Sequence, residues 1–254
     1  MKLSYKEIED CAVTALNEFM SAITNQVKWV KPIAIENFAT HSLGLCLEYT
    51  RLSDYGKMLG ITTYCDTKIE LSRYLKKETI KVPKDMLLID DSLKPPSLLG
   101  GQPDGQRERR RFTIAHECAH QILYRMMPVE QRRECDMRYS ARVISIQEYK
   151  SMEDWLEWQS NVLAAALLMP KKYIELLLGN RHVTTYGQRM NRPDRLLIAN
   201  VSNRLQVSKT ALTLRLRQLG YLKVLPSDAY YDPTDIERDD DICAANKIGG
   251  DACA

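Results

Sequence analysis

The chain has 254 residues, 44 % of them hydrophobic and 27 % charged, with a formal net charge of +3. These values suit a soluble globular protein of one large domain or two or three small ones. Its longest apolar run, residues 162–169, is too short to cross a bilayer and excludes a helical membrane span.

The small net charge hides two opposed blocks. Residues 226–254 hold eight acids against Arg238 and Lys247, a net of −6, whereas residues 181–223 hold nine Lys or Arg against Asp194, a net of +8. A basic block of this kind either binds nucleic acid or is a solvated face, and solvated faces are the commoner case. Residues 1–10 carry acids where a signal peptide needs an apolar core. The seven cysteines include no Cys-x-x-Cys pair, so reduced thiols and a cytoplasmic location are expected.

In chain order, residues 3–22 read as an amphipathic helix with Ile8, Cys11, Leu16, Phe19 and Met20 on its apolar side. A second helix is predicted over 33–41, started by Pro32 and ended near Gly44. Residues 45–49, 58–64, 79–82 and 86–89 are strand-like, and the short spacings between them predict an antiparallel sheet. His41 lies before that sheet and reads as structural. Residues 92–110 include Pro95-Pro96 and Gly100-Gly101 and lead into Arg107, Arg109, Arg110 and Arg111, a pattern that predicts a mobile surface loop.

Residues 110–124 contain His116-Glu117-Cys118-Ala119-His120 between apolar residues, with no Gly or Pro, so a helix is predicted that ends before Pro128. Two His four apart share one helix face and can reach one ion together. With a third protein ligand and a water, that suits zinc, which would bring the water's pKa to about 7. Manganese can also occupy a site of N and O ligands. Glu117, one step round the helix, would take the water's proton and pass it to the leaving amine. The alternative is a buried helix with incidental histidines, but two of the chain's four His fall at this spacing around a Glu. Cys118 points away from their face and reads as a small buried hydrophobe.

Residues 129–155 lack clear periodicity, apart from a short strand over 141–147. Residues 157–170 form a second predicted helix, almost wholly apolar after Asn161 and stopped by Pro170. Glu157 at its start is either a metal ligand or an exposed first-turn acid favoured by the helix dipole, and spacing alone leaves both open. Asn161, four residues on, shares its face and can orient a ligand by hydrogen bonding. Residues 195–205 and 209–222 read as two short amphipathic helices, with Ser208 as N-cap and Gly220 as an end, a helix-turn-helix pattern. The tail after Pro226 reads as disordered.

Two stretches together resemble the ImmA/IrrE family of metallo-endopeptidases: Arg111-Phe112-Thr113-Ile114-Ala115-His116-Glu117-x-x-His120 and Glu157-x-x-x-Asn161-x-x-Ala164-Ala165-x-Leu167-Leu168-Met169-Pro170. The resemblance runs from about residue 31 to 222. It implies a small α+β peptidase with a three-stranded sheet, His116 and His120 as the first two zinc ligands, Glu157 as the third and Glu117 as the catalytic Glu. It further implies a helix-turn-helix repressor, encoded nearby, as the substrate. Cys118-Ala119 replaces the family's usual Leu-Gly, and 37 positions separate His120 from Glu157, which implies a larger intervening loop.

The expected fold is therefore α+β: a helical N-terminus over 1–30, a metallopeptidase domain over 31–180 with a small antiparallel sheet against the zinc-site helices, a helix-turn-helix-like segment over 181–225 and an acidic tail over 226–254. The expected function is a zinc endopeptidase of narrow specificity acting on that repressor; the competing reading is a DNA-binding regulator with a non-catalytic metal site. As a DNA reader the basic segment would present Lys209, Thr210, Thr213 and Arg217. Its second helix is heavily apolar, and a peptidase acting on one protein needs docking surface beyond its cleft, so substrate docking is the favoured role. Tyr124 and Tyr139 are candidate oxyanion donors whose positions the sequence does not fix.

Overall fold

A computed structural model describes residues 2–23, 30–54, 58–73, 76–96, 105–140, 143–145, 154–179 and 181–229. The middle of the 92–110 connector, the flanks of the short strand predicted over 141–147, and the acidic tail from residue 230 onward lie outside the described residues.

Helix α1, Tyr5–Ile23, forms where the pattern predicts it. Ser4 and Glu7 cap it reciprocally: the Ser4 backbone N–H donates to Glu7 Oε2 at 2.7 Å and the Glu7 N–H to Ser4 Oγ at 3.3 Å. The helix buries Ile8, Ala12, Leu16 and Phe19, and Phe19 meets Phe38 edge-on at 5.4 Å. Helix α2, Ile35–Asn37, continues as a π-helical turn over Phe38–Ser42. It stops before Gly44, whose φ of +68° a β-carbon would disfavour.

The strands are β1 (Cys46–Thr50), β2 (Gly60–Thr62), β3 (Thr67–Arg73), β4 (Lys76–Val82), β5 (Met86–Asp90), β6 (Val143–Ser145), β7 (Val183–Tyr186), β8 (Arg189–Met190) and β9 (Leu222–Leu225). They make three three-stranded sheets, in the orders β1-β5-β2, β4-β3-β6 and β8-β7-β9. The predicted purely antiparallel sheet is corrected: each sheet is mixed, with β1–β5, β3–β6 and β7–β9 pairing in parallel. Short spacings do give antiparallel neighbours, as in β3–β4 and β7–β8. The parallel pairs join strands separated by intervening elements, and these are the crossovers that parallel pairing requires.

Strand β3 is missing from the sequence prediction. It buries Thr67, Ile69 and Leu71 and turns Lys68 to solvent, a period of two carried by only two large apolar residues. β7 to β9 are likewise unpredicted, and β9 takes the end of what reads as one helix over 209–222.

The remaining helices are α3 (Gln106–Met126), α4 (Val129–Ser140), α5 (Asp154–Leu168), α6 (Lys171–Leu178), α7 (Arg192–Leu205) and α8 (Lys209–Gln218). Pro170 caps the start of α6 instead of merely ending α5. α4 corrects the reading of 129–140 as irregular: Tyr139 alone is buried on it, so no apolar stripe marks it in the sequence. No helix among the described residues is long and apolar enough to cross a membrane.

Ser208 Oγ accepts from the Ala211 N–H at 3.1 Å, the predicted N-cap of α8. The side chains of α8 divide differently from their charge pattern. Lys209, Thr210 and Arg217 are exposed, but Arg215 is wholly buried. Its Nε donates to the Met169 carbonyl at 3.2 Å, and its two terminal nitrogens grip both carboxylate oxygens of Glu9 on α1. Truncating one partner of a buried bidentate pair strands the other charge. Arg215→Ala should thus lower stability by about 3 kcal/mol, and Glu9→Gln by less because the amide still accepts a hydrogen bond. Urea denaturation checks this; an unchanged midpoint in Arg215→Ala would contradict the buried pair.

Candidate metal centre

α3 starts at Gly105, in the left-handed region at φ +78°, and runs without interruption past both histidines. Its first turns correct the expectation of a loop over residues 92–110, since the helix already begins at Gln106. Arg111 is buried and its Nε donates to the Gln206 carbonyl at 3.1 Å, in the turn between α7 and α8. Arg110 Nε lies 3.4 Å from Glu36 Oε1 on α2. Tertiary partners thus hold the basic start of the helix.

His116 and His120 are one turn apart, with ring centroids 4.6 Å apart and Nε2 atoms 3.0 Å apart. α5 brings Glu157 to them. Its Oε2 lies 3.3 Å from His116 Nε2 and its Oε1 3.4 Å from His120 Nε2, so each oxygen faces one imidazole. His120 is fully buried, His116 nearly so, and Glu157 is half-buried. Hydrogen bonds from the two imidazoles hold the Glu157 carboxyl well below the usual carboxylate range, outweighing its burial. Glu157 therefore stays ionised, and it belongs with the histidines and not to an isolated first turn.

Ligand atoms of these three residues lie within 4.8 Å of one another, the one such His/Cys/Asp/Glu group among the described residues. Two imidazoles and an ionised carboxylate converging on one point fit zinc and, as an N/O set, manganese as well.

Glu117 is 3 % exposed and lies beside β2. The contact depends on Gly60: a β-carbon there would stand 2.7 Å from Thr113 Cγ2 and 3.0 Å from both Cγ and Oε1 of Glu117. α3 is also tied to this strand by Gln121, whose Nε2 donates to Thr62 Oγ1 at 2.8 Å and to the Thr63 carbonyl at 2.9 Å. Sequence reasoning passed over Gly60 and Gln121. A glycine inside the apolar run 58–64 was the available signal, since glycine within a strand often marks a close approach; Gln121 offered none.

The other candidates fall into place around this centre. Asn161 is exposed, one turn along α5 from Glu157. Cys118 is fully buried, and burial pushes its thiol far up, as expected of a small hydrophobe. Tyr124 donates its hydroxyl to Asp136 Oδ1 at 2.6 Å and stacks on Tyr64 at 4.3 Å, while Tyr139 is buried against the same Tyr64 ring. These tyrosines form an aromatic cluster, and Tyr124 is engaged with Asp136. His41 is exposed near the end of the π-helical turn, with Nδ1 3.3 Å from the Asn37 carbonyl.

Two His and one Glu, gathered from two packed helices with a buried acid next to the first His, define the donor set of a metallopeptidase. Residues 102–217 match the family model of Peptidase_M78, the IrrE N-terminal-like domain. That stretch is similar to the metallopeptidases of the ImmA/IrrE family, and the match supports a member of that family. The match takes in α3 to α7 and nearly all of α8, but neither α1 nor β1 to β5. No curated protein matches the chain.

Protein purified without added metal should carry one divalent ion per chain by elemental analysis, and full occupancy in the His116→Ala, His120→Ala double mutant would refute the assignment. Gly60→Ala, which crowds Thr113 and Glu117 but none of the three ligands, should keep the ion while cutting peptide cleavage; loss of the ion would show that β2 also shapes the ligand set.

Proposed function

We propose that the protein is a cytoplasmic zinc-dependent endopeptidase of narrow specificity whose substrate is a helix-turn-helix transcriptional repressor, cleaved to release repressed stress or mobile-element genes. The observation that carries the peptidase part is the burial of Glu117 against β2, at the position next to His116 on α3. A metal site that served structure alone would have no use for a second carboxylate buried beside it, since burying an acid is costly.

His116, His120 and Glu157 would hold the ion, and Asn161 is assigned the orienting of Glu157. Zinc bound there would supply Lewis acidity and a water of lowered pKa. Glu117 accepts the water's proton and delivers it to the leaving amine. Gly60 leaves room for that carboxylate, and the snug β2 contact limits how far it can swing.

The competing reading, a DNA-binding regulator with a non-catalytic metal site, draws on the exposed Lys209, Thr210 and Arg217 of α8. Against it, Arg215 faces inward to Glu9, and the Thr213 hydroxyl donates to the Lys209 carbonyl at 2.8 Å. Two of the helix's polar side chains are thereby committed within the fold, and substrate docking remains the favoured role of residues 181–223.

Co-incubation with the repressor encoded beside this chain and zinc, read by mass spectrometry, tests the function. Glu117→Gln should retain metal and fold but lose about 10² to 10⁴ in cleavage rate. Wild-type turnover in that variant would show that another residue is the base or that the activity comes from a contaminant.

A further inference from the structure

A second concave surface lies on the far side of α3. Ile122 and Met126 follow His120 by two and six residues, which places them about 200° and 240° round the helix from the metal-facing side. Together with Ala15 of α1 and Leu43 they floor an open groove of about 620 Å³ between α1 and the C-terminal end of α3. Met126 is 43 % exposed, and its sulfur lies 2.9 Å from Cys11 Sγ. An exposed thioether on an apolar floor is a surface that adapts to an incoming side chain.

The rim is acidic. Glu7, Asp10 and Glu18 stand along the α1 side, a span of about 16 Å or three helical turns. The one cation on the rim among the described residues, Arg125, is paired with Asp85 at 3.4 Å. The groove thus joins an apolar floor to an anionic edge. That combination repels phosphate-bearing surfaces and the chain's own acidic tail, and it complements an amphipathic helix with apolar residues on one side and Lys or Arg flanking them.

We propose that this groove is a docking site, separate from the metal centre, for a basic amphipathic helix of a protein partner. Proteins that bind DNA carry such basic helices, so the partner fits the substrate class named above. Its identity as substrate rests on that reading, whereas docking is measured without any catalysis. A partner held here would be anchored on one face of α3 while another of its segments reached His116 and His120 on the opposite face.

The test uses the full chain and a fluorescent Leu/Lys peptide of about five helical turns, with a Leu/Glu peptide of the same pattern as its counterpart, read by anisotropy at low and high salt. The Leu/Lys peptide should bind, weaken with salt and shield Cys11 from alkylation while the exposed Cys46 still reacts; the Leu/Glu peptide should not bind. Asp10→Lys with Glu18→Lys should weaken binding about tenfold. Glu130→Lys with Glu134→Lys, the same charge change on α4, should leave it unaltered. Should the rim variant unfold, Met126→Lys at its exposed position replaces it, with the same expected loss. Equal affinity in wild type and rim variant, equal loss in the α4 control, or a groove closed by self-association in sedimentation would overturn the proposal. Peptide binding without repressor cleavage would sink the peptidase reading alone, and cleavage without peptide binding would sink the groove alone.

Discussion

The packing of α3 against α5 is the constraint on which the molecule turns. Two imidazoles on one helix and a carboxylate on another meet within hydrogen-bonding range only if the helix axes come close. Small buried residues on both make that approach available: Ala115, Cys118 and Ala119 on α3, Ala164, Ala165 and Ala166 on α5. The ligands repay the arrangement electrostatically. An ionised Glu157 would be unfavourable beside apolar neighbours, but two imidazoles hold it in its charged form, ready for a cation.

The rest of the fold fixes where α3 sits. Strand β2 runs along it with a glycine at the point of closest approach, and Gln121 locks the strand through two hydrogen bonds. Helix α1 lies outside the family match yet is built into the core through Ile8, Leu16 and Phe19. Its Leu3 N–H donates to Gln159 on α5 at 2.7 Å, two residues from a metal ligand.

Charge plays two roles that composition cannot separate. Arg215 contributes to the basic block of residues 181–223, but its guanidinium serves as a clamp between α8, α1 and the end of α5. Arg111 does the same between α3 and the α7–α8 turn, where Gln206 adopts φ +54°. Both are desolvated and both act on carbonyl or carboxylate oxygens, which suits a planar guanidinium better than a lysine ammonium. Other charges stay at the surface, among them Lys209 and Arg217 on α8 and Asp10 and Glu18 on α1.

The sequence by itself determined the elements whose signal is local. His116, Glu117 and His120 were legible because a helix repeats its face every 3.6 residues, and Pro128 and Ser208 marked the end of α3 and the start of α8. The two short helices before and after Ser208 were legible for the same reason. Only the tertiary structure decided what depends on residues distant in the chain. Glu157 could be read from spacing as ligand or solvent-facing acid, and the 36 residues between it and His120 carry no information on where it points. The parallel pairings of β1 with β5, β3 with β6 and β7 with β9 come from crossovers, which leave no mark in a strand's own pattern. Whether Arg215 faces water or Glu9 is likewise settled by a partner 206 positions away. Local patterns specify which face a residue takes on its own element; which faces meet is specified by packing the whole chain at once.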